Sequence, residues 1–251
     1  MPTGASVWLR LRLAVDRHRR FSVTMAALLS VMVATTLLRE WGPAGSGVVL
    51  GPVVALGLVM LGRGWGLSWD DLGLGRRTWA RGTAYAAAAI VVVAAVYAVA
   101  AVLPLTRPAF LDARYHLAAG TALVTALVTI PLGTVLLEEI AFRGVLLGFL
   151  TRHRGIGWGL GLSSALFGTW HVLPSLGLGR ANPAVGHLSG NGTGAQVAVV
   201  LAVVVFTALA GLLLGELRRR SGSLLAAAGL HWAVNGIGVL AAAVIYATSN
   251  H

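Results

Sequence analysis

The chain has 251 residues, 57% hydrophobic and 11% charged, with a mean hydropathy of +0.82. Soluble domains are about 25% charged and about 45–50% apolar, and disordered chains have low hydrophobicity. Composition therefore excludes both a soluble globular enzyme and a disordered chain. The apolar runs are continuous and about 20 residues long, which is membrane-helix length, without the alternation of a barrel strand. The fold class that remains is all-α, a polytopic integral membrane helical bundle.

The net charge of +11 comes from 19 basic residues, every one Arg, against eight acids. An isoelectric point near 11.7 would suggest nucleic-acid binding in a soluble protein. In a membrane chain, basic residues collect in cytoplasmic loops instead, so no nucleic-acid partner is expected. Arg-only usage with abundant Ala, Gly, Val and Leu points to a GC-rich bacterial genome and thus to a multi-pass protein of the bacterial cell (plasma) membrane. The absence of Cys excludes disulfides, iron–sulfur clusters and a Cys nucleophile.

In chain order, a basic stretch with Arg10, Arg12, Arg17, Arg19 and Arg20 precedes an apolar run over 21–38, too long for a signal peptide. Further spans are expected over 44–61, 83–103, 117–150, 155–173, 197–214 and 224–245, about seven in all. The fourth is longer than one crossing needs. An amphipathic, Trp-rich segment at 65–78 is expected along the cytoplasmic interface, and the Gly-, Asn- and Ser-rich loop 177–196 is expected to be flexible. With the N-terminus cytoplasmic, 14 Arg fall inside and four outside, with Arg143 inside the fourth span; this asymmetry fixes that orientation. Residues 1–64 read as a basic segment with two spans, 65–245 as the core and 246–251 as a tail.

Three charged residues remain within a span: Glu138, Glu139 and Arg143 in LLEEIAFRG. A charge at the bilayer centre costs about 3 kcal/mol on insertion scales, so such residues are functional candidates by default. Glu139 and Arg143 are four apart and share a helix face. Glu138, about 100° round the helix, lacks that partner and is free to exchange a proton, as general acid/base chemistry requires. Phe167 and His171 are four apart on the fifth span, and His231 and Asn235 four apart on the seventh. At a rise of about 1.5 Å per residue, these groups lie roughly 10–24 Å from the cytoplasmic ends of their spans, compatible with one polar cavity. A salt bridge between helices is the plain structural alternative for the charges, and hydrogen-bonded packing the alternative for each His.

The ordered motifs EExxxR (Glu138, Glu139, Arg143), FxxxH (Phe167, His171) and HxxxN (His231, Asn235) resemble those of the CPBP intramembrane proteases. That family includes the CAAX prenyl endopeptidases and bacterial relatives linked to bacteriocin self-immunity. The DDLGL stretch at 70–74 is similar to one upstream in that family, and the resemblance covers roughly 65–245. It implies hydrolysis of a peptide bond in a membrane-associated protein or peptide, within the lipid bilayer. By the same resemblance Glu138 and His171 would activate water, and His231 and Asn235 would stabilise the oxyanion. Glu139 and Arg143, with Phe167, would support the site. Zinc on Glu138, His171 and His231 is one option, but no HExxH is present, and a metal-free mechanism is favoured.

Two other classes stay open. One is a proton-coupled transporter using buried Glu and His, although no internal repeat is found. The other is a non-catalytic immunity-type membrane protein. Gly157 and Gly161 are expected to pack helices closely, and Trp170 and Trp232 to line a substrate groove. Ser163 with His231 would make a rhomboid-type dyad, though buried Ser in membrane helices is usually packing.

Overall fold

The computed structural model describes residues 4–43, 45–190 and 192–249; for 4–18, 20, 39 and 40 it describes the helical backbone. Asn250 and His251, the end of the expected tail, lie outside the described residues. The chain divides into residues 1–44 and 45–251. The first unit is one helix, α1 (Gly4–Trp41), of 38 residues. The basic stretch thus continues the helix of the apolar run Phe21–Leu38, because its Leu, Ala and Arg residues are good helix formers.

The second unit holds six long helices: α2 (Gly47–Gly64), α3 (Trp79–Val102), α4 (Ala119–Arg154), α5 (Ile156–Trp170), α6 (Thr193–Ser221) and α7 (Leu224–Ser249). Lipid has no hydrogen bonds to offer the backbone, so each crossing segment satisfies its own. Outward side chains are apolar, with Val91 67% and Phe206 70% exposed, a surface suited to lipid tails. The chain is a polytopic helical bundle.

Among the described residues, six helices are long and apolar enough to cross a membrane, against about seven expected. The difference is the span expected at 155–173. There α5 has 15 residues, stops at Trp170 and gives way to a short helix Val172–Ser175. Pro174 accounts for the break, since its ring collides with the carbonyl four residues back and it has no N–H.

Helix α4 is 36 residues long, with π turns at Thr125–Thr129, Pro131–Val135 and Glu139–Leu146. The first two flank Pro131, whose missing N–H and bulk favour a widened turn. The third carries Glu139 and Arg143, and a fourth π turn, Ala233–Ile237, carries Asn235. Such turns concentrate at functional sites.

Glycine brings the helices together, but not the glycines expected. A Cβ on Gly157 or Gly161 would meet nothing within 4 Å. Instead, a Cβ on Gly168 would stand 2.6 Å from the Val204 carbonyl, and one on Gly211 would stand 3.2 Å from Ser164 and Phe167, where α5 crosses α6. The helical rotation of about 100° per residue turns Gly157 and Gly161 outward. Gly51 of α2 comes closest to α4, where a Cβ would lie 2.1 Å from the Leu132 carbonyl. The loop expected to be flexible contains the helical turns Leu178–Ala181 and Pro183–Ser189. Asn182 caps the second, accepting from the Ala184 and Val185 N–H groups at 3.1 and 3.3 Å.

Candidate active site

Glu138 and Glu139 are buried on α4, and Arg143 follows four residues later. Arg143 Nη1 donates to Glu139 Oε1 at 2.8 Å, with both side chains at most 1% exposed. The expected i,i+4 pair is therefore present even though the turn is widened. The guanidinium carbon of Arg143 also sits 3.8 Å from the Phe167 ring centroid. A cation over an aromatic face is attracted by the ring quadrupole, more so when desolvated, which gives the Phe of FxxxH a physical task. Phe142 meets Phe167 edge to face at 5.0 Å.

His231 lies on α7 and is buried. Its Nδ1 is 2.7 Å from Glu139 Oε1, and its Nε2 is 3.7 Å from Glu138 Oε2. A carboxylate oxygen accepting from Nδ1 puts the hydrogen on that nitrogen, and in that tautomer Nε2 is turned bare to Glu138. A carboxylate that fixes the tautomer and orientation of an imidazole is the arrangement of the hydrolase triads.

Glu138 uses its two oxygens differently. Oε1 accepts from the Trp170 indole N–H at 3.1 Å. Oε2 is buried, hydrogen-bonded to no protein group, and turned toward His231. Glu139 Oε2 and Arg143 Nη2 are likewise buried without a hydrogen-bond partner.

His171 occupies the break after α5. Its backbone N–H bonds to the Gly168 carbonyl at 3.0 Å, one residue short of helical register. That frees the Phe167 carbonyl, which lies 2.8 Å from His171 Nδ1. A carbonyl only accepts, so Nδ1 is protonated and Nε2 is the basic nitrogen. Phe167 stands between the two histidines, 4.6 Å from the His171 ring and 5.9 Å from the His231 ring.

The structure thus joins Glu138, Glu139, Arg143, Phe167 and His231 by direct contacts and sets His171 beside Phe167. Among the described residues, neither His171 nor Asn235 is hydrogen-bonded to a carboxylate; Asn235 sits one turn beyond His231, half-buried on its π turn. Trp170 is the site residue that motif reading placed elsewhere, as groove lining. Its signal was adjacency to His171 and an indole N–H that requires an acceptor when buried. Trp232 instead donates to the Ala126 carbonyl at 2.8 Å and ties α7 to α4.

Zinc would require three donors about 2.0–2.2 Å from one point. Among the described residues no three His, Asp or Glu converge in this way. The Nδ1 atoms of His171 and His231 are bound to Phe167 and Glu139, which leaves both Nε2 atoms free, as in a metal-ligating imidazole. As arranged, Glu138, His171 and His231 do not converge on one point.

The segment 65–75, between α2 and α3, packs on α4 just beyond Arg143, at Gly144 and Gly148. Leu67 and Leu72 are fully buried, and Leu72 lies against the glycines of α2 and α4, Gly62 and Gly144. Arg218 of α6 holds it by donating from Nη2 to the carbonyls of Asp70 and Asp71 at 2.8 and 2.6 Å. Asp71 Oδ2 accepts from both the N–H and the hydroxyl of Ser68 at 2.8 Å. Burial acts to raise the Asp71 carboxyl, but the Ser68 hydrogen bonds and the charges of Arg152 and Arg218 outweigh it, so the group sits below the ordinary carboxylate range. The DDLGL stretch is therefore a strap, pinned by its backbone at one end of the bundle.

The fold is that of a polytopic helical membrane protein, and it holds a buried acid–imidazole cluster. Residues 119–237 match the family described as Type II CAAX prenyl endopeptidase Rce1-like. This matched core carries all three motifs and is similar to the CPBP/CAAX protease family. The match supports CAAX-type intramembrane protease activity in general terms and suggests a peptide or protein substrate in a lipid environment. No curated protein and no solved structure matches the chain.

Proposed function

We propose that the protein is an intramembrane endopeptidase, in a bacterial plasma membrane, that hydrolyses its substrate by a carboxylate-activated water without a metal. The observation that carries this reading is Glu138 Oε2, a buried carboxylate oxygen hydrogen-bonded to no protein group and facing the bare Nε2 of His231 at 3.7 Å. A general base needs a proton-accepting atom within reach of the water it activates. Here Glu138 removes the proton as the water oxygen bonds to the substrate carbonyl carbon. The Nε2 of His171 acts with Glu138 by orienting and polarising that water.

As the carbonyl oxygen becomes an oxyanion, donors must already be in place. Asn235 supplies an amide N–H, and His231 supplies Nε2–H once Glu138 has passed to it the proton taken from water. Glu139 stabilises that imidazolium through Nδ1, while Arg143 holds Glu139 in position. Collapse of the tetrahedral species breaks the C–N bond, and the proton taken from water passes to the leaving amine.

Quantitative mapping of peptide ends in membranes from cells expressing wild type or Glu138→Gln tests this reading. Wild-type-dependent ends, with accumulation of the uncut precursor in the variant, are expected. The same ends at the same abundance in both would refute it. Metal analysis of purified wild type, with activity followed in chelator, checks the metal-free step; stoichiometric zinc lost together with activity would overturn it.

A further inference from the structure

Trp170 has no place in the three motifs, yet it is the residue that contacts Glu138 most directly. Its indole N–H reaches Oε1 at 3.1 Å from the last turn of α5, and its ring is held by Phe142 at a centroid distance of 5.8 Å. The indole nitrogen is a donor only, so this contact has one polarity. It occupies one lone-pair direction of Oε1 and fixes the carboxylate plane. The other oxygen, Oε2, is left buried, bound to no protein group, and turned to His231 Nε2 at 3.7 Å. Since α5 ends at Trp170 itself, the break that begins at His171 also aims the Trp170 ring.

We infer that Trp170 is a positioning residue, whose N–H selects Oε2 of Glu138 as the oxygen that meets the attacking water. This rests on the assignment of Glu138 as the base. Without the donor, the carboxyl group turns about its terminal torsion, which is broad for Glu, and the reacting oxygen is no longer held in place. Misplacement of a catalytic group lowers the rate of the bound complex rather than the affinity for substrate.

The test uses the full-length protein in proteoliposomes and a fluorogenic peptide spanning the junction cut by wild type. Four proteins are compared: wild type, Glu138→Gln, Trp170→Phe, and the protein with 3-benzothienylalanine placed at position 170. That last side chain has nearly the shape of Trp, with sulfur in place of N–H. The expected result is a fall in kcat of about ten- to hundredfold for both position-170 replacements, the range of one hydrogen bond to a charged group. KM should stay within about twofold and the melting midpoint of the benzothienyl protein should not move. A residue that only fills space would leave the benzothienyl protein at the wild-type kcat. That result, or a raised KM with kcat intact, overturns the inference while an inactive Glu138→Gln leaves the base assignment standing. Full activity of Glu138→Gln removes the base assignment itself, and the inference with it.

Discussion

His231 bridges the two adjacent glutamates: its Nδ1 lies 2.7 Å from Glu139 Oε1, and its Nε2 lies 3.7 Å from Glu138 Oε2. One carboxylate orients the ring and the other shares its working face. The consecutive acids of EExxxR therefore meet different nitrogens of one ring.

Glu139 and Arg143 form a pair at most 1% exposed. Removing one partner of such a pair strands a buried charge, at about 3–5 kcal/mol, whereas replacing both with apolar groups can be near neutral. Arg143→Leu is expected to lower the melting midpoint in detergent sharply, and Glu139→Leu/Arg143→Leu to recover most of it. Cleavage should stay lost in the double variant, because His231 then lacks its Nδ1 partner. Equal melting of the single and double variants would remove the ion pair from the account.

Packing of α5 on α6 through Gly168 makes a second prediction. A Cβ there meets the Val204 carbonyl at 2.6 Å and Ala208 Cβ at 2.9 Å, whereas one on Gly161 meets nothing. Gly168→Ala should destabilise by about 1–3 kcal/mol, the usual cost of overpacking, and shift Phe167 and His171. Gly161→Ala should be neutral or slightly stabilising, since Ala is the better helix former. Thermal unfolding and kcat of the two variants distinguish them.

The strap makes a prediction about pH. Asp71 is held below the ordinary aspartate value of about 3.9 when folded. A depressed carboxylate contributes stability that is fully present above its unfolded pKa and is lost as pH falls through the lower folded one. Asp71→Asn should therefore melt lower than wild type between pH 5 and 7, by about the 0.5–2 kcal/mol of a lost capping group. The gap should close as pH drops below about 4. Melting midpoints of the two proteins across pH check this, and a gap that persists at low pH would contradict it.

Orientation is open to a clean measurement because the chain has no Cys. A single Cys at Ser68 in the strap should react with an impermeant maleimide only from the cytoplasmic side, and one at Ser189 only from outside. The Arg asymmetry requires that result; the reverse labelling would invert the topology.

Much of the site was legible in sequence because chemistry in lipid is costly. Only Glu138, Glu139 and Arg143 carried charge within a span, and i,i+4 spacing paired the last two as the structure does. What escaped was geometry that hydropathy does not encode. A hydropathy run counts α5 and the residues after His171 as one apolar segment, whereas Pro174 ends the helix there. The π turns at 139–146 and 233–237 shift each side chain from its α-helical bearing, so the facing of Asn235 could not be read from a four-residue spacing. Small residues at 157 and 161 announced close packing, but which glycine faces a neighbour depends on how α5 is rotated against α6. The Trp170 contact depends on that same rotation.

The rate of peptide cleavage by purified Glu138→Gln, set against wild type in the same proteoliposomes, tests the central claim most directly. Gln keeps the size of the side chain and removes the basic oxygen. The account predicts a fall of at least about 10²–10⁴-fold, the usual contribution of a general base, with folding intact. Cleavage at the wild-type rate would contradict it.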